Sequence, residues 1–166
     1  MTDDFAALYA FNRWANDLML DACRQLSPEQ YGAEPTPGWS PVRTTVYHIA
    51  VATDGWLRGV ADDLDQSWPT EDDAATPVGA AAILARAYQT FDTLLPRLTP
   101  EFLATPKTFR RGERVAVLPP WVALRHVVNH ATYHRGQVAS KLKQFGVRQA
   151  ETDLIYWAFQ QTEPAS

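Results

Sequence analysis

Apolar residues recur close to every 3.6 positions along four long stretches of the chain, and this period predicts four amphipathic helices. The first spans Asp3 to Gln25, with Phe5, Leu8, Phe11 (or Asn12), Ala15, Leu18, Met19 and Ala22 on one face. Asp3 and Asp4 suit its first turn, where the helix dipole favours negative charge. Ser27-Pro28-Glu29-Gln30 reads as a stop followed by a short new turn, with serine as cap and proline at the first helical position. Residues 31–39 hold two prolines and two glycines and read as a loop. Ser40-Pro41 repeats the cap-then-proline signature and opens a second helix carrying Val42, Val46, Ile49, Ala50, Trp56 and Leu57, with an end expected near Asp62–Leu64. The polar, acidic segment 65–75 reads as a second loop. Thr76-Pro77 caps a third helix through Ile83, Leu84, Ala87, Tyr88, Phe91, Leu94 and Leu95, which Pro96 and Pro100 bring to a close.

The pattern then changes. Thr108-Phe109-Arg110 and Val115-Ala116-Val117 flank Arg111-Gly112-Glu113, and a glycine between two β-prone runs predicts a small hairpin. The fourth helix runs from Trp121 to Phe145, with Lys141 and Lys143 in its last turn and Gly146 in the position just beyond the cap. Asp153 caps a short fifth helix over Leu154-Ile-Tyr-Trp-Ala-Phe-Gln. Four long helices and little strand define an all-α fold, a four-helix bundle. The linkers are long for a simple up-down bundle, so crossover connections are expected. At 166 residues the chain fits one domain, taken as 1–166, with no internal repeat.

Composition narrows the function more than the fold. The net charge of −4 is mild, and no block of lysine and arginine is present to track a phosphate backbone, which argues against nucleic-acid binding. No apolar run approaches the ~18 residues of a membrane span, and Met-Thr-Asp-Asp-Phe lacks the basic and apolar regions of a signal peptide. The single cysteine, Cys23, forms no intrachain disulfide and reads as a buried small apolar residue. A cytoplasmic protein is the expectation.

The candidate chemistry lies in the fourth helix. His126, His130 and His134 are spaced four residues apart, and a step of four overshoots a helical turn by only about 40°, so the three form a ladder on one face. Neutral imidazole is the commonest protein ligand for a transition metal. His126 and His134 lie about 12 Å apart along the axis, so all three cannot easily share one ion. Either His126–His130 or His130–His134 is the pair, and spacing does not choose between them. The remaining histidine, His48, lies in the second helix and could be brought to the ladder by the bundle. Ala131, Thr132 and Tyr133 fill the interval where a zinc protease would carry its glutamate, which argues against that mechanism.

The segment His126-Val-Val-Asn-His130-Ala-Thr-Tyr-His134-Arg-Gly-Gln-Val, the earlier His48-Ile-Ala-Val-Ala-Thr-Asp54-Gly-Trp56-Leu and the order of the helices together resemble the DinB family, over nearly the whole chain. The resemblance implies an up-down-down-up bundle, a homodimer, and a divalent metal held by His48, His130 and His134, with zinc and nickel the leading identities. It leaves His126 at the margin of the site. It also implies a metal-dependent enzyme acting on a small molecule, with thiol-dependent S-transfer from a low-molecular-weight thiol as the first reading. A metal-dependent hydrolase and a non-catalytic, stress-associated metal-binding bundle are the alternatives. Around these ligands, Asp54 lies about 600° past His48 and is expected to be structural. Asn129 and Gln137 could support the ligands or bond between helices. Tyr47 and Tyr133 could reach the mouth or simply pack. Arg135 is expected in an ion pair, Gly136 at a close helix contact, and the tryptophans in core and interface.

Overall fold

The computed structural model describes residues 2–63 and 67–162, with the side chains of Thr2, Asp3 and Arg111 left aside. The described residues form α1 (Thr2–Cys23), α2 (Pro28–Gly32), α3 (Val42–Ala61), α4 (Pro77–Leu94), α5 (Pro100–Ala104), β1 (Lys107–Arg111), β2 (Arg114–Leu118), α6 (Pro120–Gln144) and α7 (Leu154–Thr162). The long helices α1, α3, α4 and α6 are the four predicted. The expected end of the second helix at Leu64, and positions 65 and 66 of the expected loop, lie outside the described residues.

Capping chemistry explains most boundaries. Ser27 accepts from the Gln30 N–H while the Gln30 side chain returns to the Ser27 N–H, a full capping box on α2. Thr76 caps α4 through the Gly79 N–H. Thr99-Pro100 carries the same signature and opens α5, an element the reading of Pro100 as a terminator overlooked. Ser40-Pro41 behaves differently. Pro41 is the N-cap of α3 and gives no side-chain cap, because the Ser40 hydroxyl accepts from Lys141 on α6 instead. Asp62 adopts a left-handed conformation (φ 60°) and ends α3.

The side-chain contacts fix the helix directions. Tyr9 donates to the Leu124 carbonyl, and Arg135 reaches Asn12 and Asn16, so α1 and α6 run parallel. Arg13 pairs with Asp92 while Asn16 bonds Tyr88, so α4 is antiparallel to α1. Lys141 meets Thr45 while Trp56 meets His126, so α3 is antiparallel to α6. The result is up-down-down-up. Two parallel helices, α3 and α4, need a connection that returns the full length of α3, and the segment after Asp62 makes that crossover.

The core fills the space between the four helices. One half is built on Met19, Leu20, Val46, Ile49, Leu84 and Leu142. The other is built on Phe5, Tyr9, Leu57, Phe91, Leu94 and Leu124, with the rings of Tyr9 and Phe91 stacked 3.7 Å apart. Cys23 is buried in the first half, and burial pushes its thiol up to about 12. Of the tryptophans, none of the six is fully buried: Trp39, Trp68 and Trp121 are exposed and Trp14, Trp56 and Trp157 half-buried, so they cover edges rather than form the core.

Two buried charges, Asp54 and Arg135, tie the bundle together. Asp54 is fully buried and receives Arg86 at 2.6 Å and 3.1 Å and Arg58 at 3.5 Å, which confirms a structural role for it. Arg135 does not form the expected ion pair. Its guanidinium, 1% exposed, donates to Asn12, Asn16 and Thr132, all neutral. Burial lowers it to about 10, still charged at neutral pH. Gly136 is exposed, and a Cβ there would meet nothing within 4 Å, so the expected close helix contact is absent at that position.

Removing one member of a buried ionic cluster strands the others without water. Asp54→Ala is therefore expected to destabilise the protein by about 3 kcal/mol or more, measured by urea unfolding. A change under about 1 kcal/mol would contradict the structural role of this carboxylate.

A candidate metal centre between two helices

The site forms where α3 and α6 lie side by side. On α6 the histidines face α3, and their neighbours Val127, Ala131 and Val138 turn into the core. On α3 the neighbours of His48, Thr45 and Ile49, are likewise buried. The two helices thus bury one flank each and leave a groove, in which all four histidines are half-buried.

The structure brings His48, His130 and His134 into one group, with one ring nitrogen of each within 4.8 Å of the others. The ring centroids form a near-regular triangle of 4.8, 4.5 and 4.4 Å. His48 Nε2 and His130 Nε2 lie 3.1 Å apart. Two imidazoles on one ion at about 2.05 Å stand about 2.9 Å apart at a right angle and about 3.3 Å apart at the tetrahedral angle. The spacing of His48 and His130 falls between these, so this pair could close on a divalent first-row ion, with His134 in reach of the same group.

His126 stays outside the triangle. Its ring lies 5.2 Å from His130 on one side and 5.1 Å from Trp56 on the other. The two alternatives that spacing left open are thus resolved geometrically: His130–His134 is the pair that meets His48. Gln137 takes the supporting role. Its Oε1 lies 2.7 Å from His134 Nδ1, so Nδ1 carries the proton and Nε2 keeps its lone pair for the groove. Asn129 is exposed and Tyr133 is 65% exposed, with its ring edge-on to His134 at the open side. Tyr47 serves the chain rather than the site, donating to the Pro69 carbonyl.

That bond belongs to the second wall of the groove. Counting 100° per residue, Gly55 and Thr44 lie within about 20° and about 40° of His48 on the α3 surface. The crossover segment runs along this face. The Trp68 ring sits so close to Gly55 that a Cβ there would meet it at 2.7 Å, and Thr44 donates to Glu71 at 2.7 Å. The Arg58 guanidinium lies over the Trp68 ring, 4.8 Å from its centroid. The glycine that weakens α3 is the seat of the wall. At the α6 end, the Lys141 ammonium donates to Thr45, Ser40 and the Pro41 carbonyl, and its burial lowers its pKa. This bond fixes the register of α6 on α3 one turn from His48. Neither Lys141 nor Trp68 was visible as a site residue in the sequence; a helix glycine opposite a distant tryptophan was the only trace.

Three histidines that could hold a metal ion, brought together between two helices of an up-down-down-up bundle, are what the fold presents. The chain belongs to the DinB family, whose model matches residues 1–164. It is 25% identical to Protein DinB of Bacillus subtilis (strain 168), a match covering 99% of this chain and 100% of that one. A DinB-like protein from Bacillus cereus ATCC 10987 shares the fold with a TM-score of 0.66 at 21% identity, over 90% of this chain and 95% of that chain. A protein described as a four-helix bundle matches with a TM-score of 0.57 at 19% identity, over 82% and 98% of the two chains.

Metal titration checks the assignment of ligands. His130→Ala should abolish stoichiometric binding of zinc or nickel, His126→Ala should leave one ion bound, and Gln137→Ala should weaken binding by about 10- to 100-fold. Equal losses in His126→Ala and His130→Ala would sink the two-plus-one arrangement. Cys23 should resist iodoacetamide in the native protein and react on unfolding, because its thiol is buried and stays protonated.

Proposed function

We propose that the protein is a divalent-metal-dependent enzyme that transfers a low-molecular-weight thiol to an electrophile. The observation that carries this reading is the donor set. Among the described residues the group that could hold an ion is made of three histidines and no carboxylate. A divalent ion held by three neutral imidazoles would keep its full charge and would supply acidification of an incoming thiol.

The chain's own residues supply the rest. His48, His130 and His134 would orient the ion, and Gln137 holds His134 in the tautomer that can donate. The half-buried groove keeps one side open to a small molecule past Tyr133. The sulfur attacks the electrophilic carbon, a C–S bond forms, the leaving group departs with its electron pair, and the thiol proton passes to solvent. Cys23 takes no part, since it is buried in the core away from the groove. Metal-assisted hydrolysis would require a proton acceptor beside the attacking water, and the histidine group brings no acidic side chain to that place. The proposal extends to a homodimer in the cytoplasm, in keeping with the family resemblance. No helix among the described residues is long and apolar enough to cross a membrane.

The test is a panel of small thiols offered to metal-loaded protein with monobromobimane or chlorodinitrobenzene. Metal-dependent conjugation that is lost in His48→Ala is the expected result. Conjugation unchanged by His48→Ala, or no turnover with any thiol, would overturn the transferase reading.

A further inference from the structure

An unbroken row of rings leads away from the histidine group. His134 and His130 lie 4.4 Å apart between centroids, His130 and His126 5.2 Å, His126 and Trp56 5.1 Å, and Trp56 and Phe109 5.4 Å. The row starts on two of the candidate ligands and leaves the group through His126, so Trp56 stands two ring contacts from His130. All five rings are half-buried. Trp56 and Phe109 pack against the second half of the core, which holds them in place and leaves part of each uncovered.

The face of α3 that carries His48 is low along the same stretch. Counting 100° per residue, Ala52, Gly55 and Gly59 lie within about 40°, 20° and 20° of His48. On each of the two glycines lies a ring from a distant segment. A Cβ at Gly55 would meet Trp68 at 2.7 Å, and one at Gly59 would meet Phe109 at 3.3 Å. Trp68 is nonetheless 53% exposed. Gly55 and Trp56 are neighbours in sequence, so both seats stand at one level of the helix, about 10–12 Å past His48 along the axis. Helical side chains lean toward the N-terminal end, which from Trp56 is the direction of His48. Next to the histidine group, the groove is thus bordered by Trp56 and His126 on the α6 side and by Trp68 on the crossover.

We infer that Trp56, with His126, is the seat of the acceptor, and that the electrophile is a planar apolar molecule whose reactive carbon reaches the histidine group while its ring lies on Trp56. This rests on the transferase reading and deepens it by naming the class of the second substrate. A ligand that covers a partly exposed ring releases the water there, and a flat one adds edge-on or offset contacts. His126 gains a role as the ring that spans from the candidate ligand His130 to the seat.

The test uses full-length, zinc-loaded protein and 1,3-dinitrobenzene, a probe that lacks a leaving group and so cannot be conjugated. Calorimetry should show binding that Trp56→Leu weakens about tenfold and Trp56→Phe largely restores. His126→Ala should keep its ion and bind the probe more weakly. Trp121→Ala removes an exposed tryptophan about 180° round α6 from His130 and should change nothing. In turnover with a small thiol, Trp56→Leu should raise KM for chlorodinitrobenzene, whose chloride leaves as the C–S bond forms, and spare kcat/KM for the aliphatic electrophile iodoacetamide. Thermal unfolding of each variant separates loss of the seat from loss of the fold; if Trp56→Leu does not fold, His126→Ala decides in its place. No probe binding, or probe binding that these substitutions do not weaken, overturns the seat whatever the turnover. Probe binding that depends on Trp56, in a protein that conjugates no thiol, leaves the seat standing and overturns the transferase reading. Absence of both probe binding and turnover overturns both.

Discussion

One helix cannot supply three imidazoles to one ion, and the rest of the structure answers that constraint. Adjacent rungs of a helical ladder can converge, but the third donor must come from another element held in fixed register. Here the register of α3 on α6 is set at both ends of the groove. Lys141 clamps the start of α3 through Thr45, Ser40 and the Pro41 carbonyl, and Trp56 meets His126 about three turns further along. Arg135 ties the back of α6 to α1, and Asp54 ties the back of α3 to Arg86 on α4. Each helix that carries a ligand is therefore fixed from behind through a buried charge, Arg135 on α6 and Asp54 on α3.

The use of buried charge for this purpose has a physical logic. An apolar contact tolerates sliding by a fraction of a turn, because any neighbouring methyl group will serve. A guanidinium buried among two asparagines and a threonine tolerates no slip, since each lost bond leaves an unsatisfied donor away from water. Such groups contribute little net stability. What they set is position, and a metal site needs position to within a fraction of an ångström.

Much of this was legible in the sequence, and the parts that were not share a cause. The four long helices, the hairpin and the helix order followed from periodicity, proline and glycine. Spacing alone left His126–His130 and His130–His134 open, and the set of His48, His130 and His134 followed from the family resemblance. The short α5 was missed because a proline was read as a terminator when the threonine before it made it a start. Ser40 was read as a cap because nothing local shows that Lys141, a hundred residues away, would claim its hydroxyl. The same holds for Arg135, expected to find an acid and found among amides. Local pattern reports which groups want partners; it does not report which distant partner wins. Gly55 shows the limit well, since its reason is the Trp68 ring that lies on it.

His48 and His130 stand 82 positions apart in the chain. Their meeting closes a long loop, and contacts of that separation form late, after the local helices and the neighbouring pairs are in place. During synthesis, His48 would wait unmatched until most of the protein had emerged and α6 could dock. An ion therefore cannot organise the early chain in the way a zinc finger's metal does. It meets a scaffold already assembled, and its capture rewards the last step of folding alone.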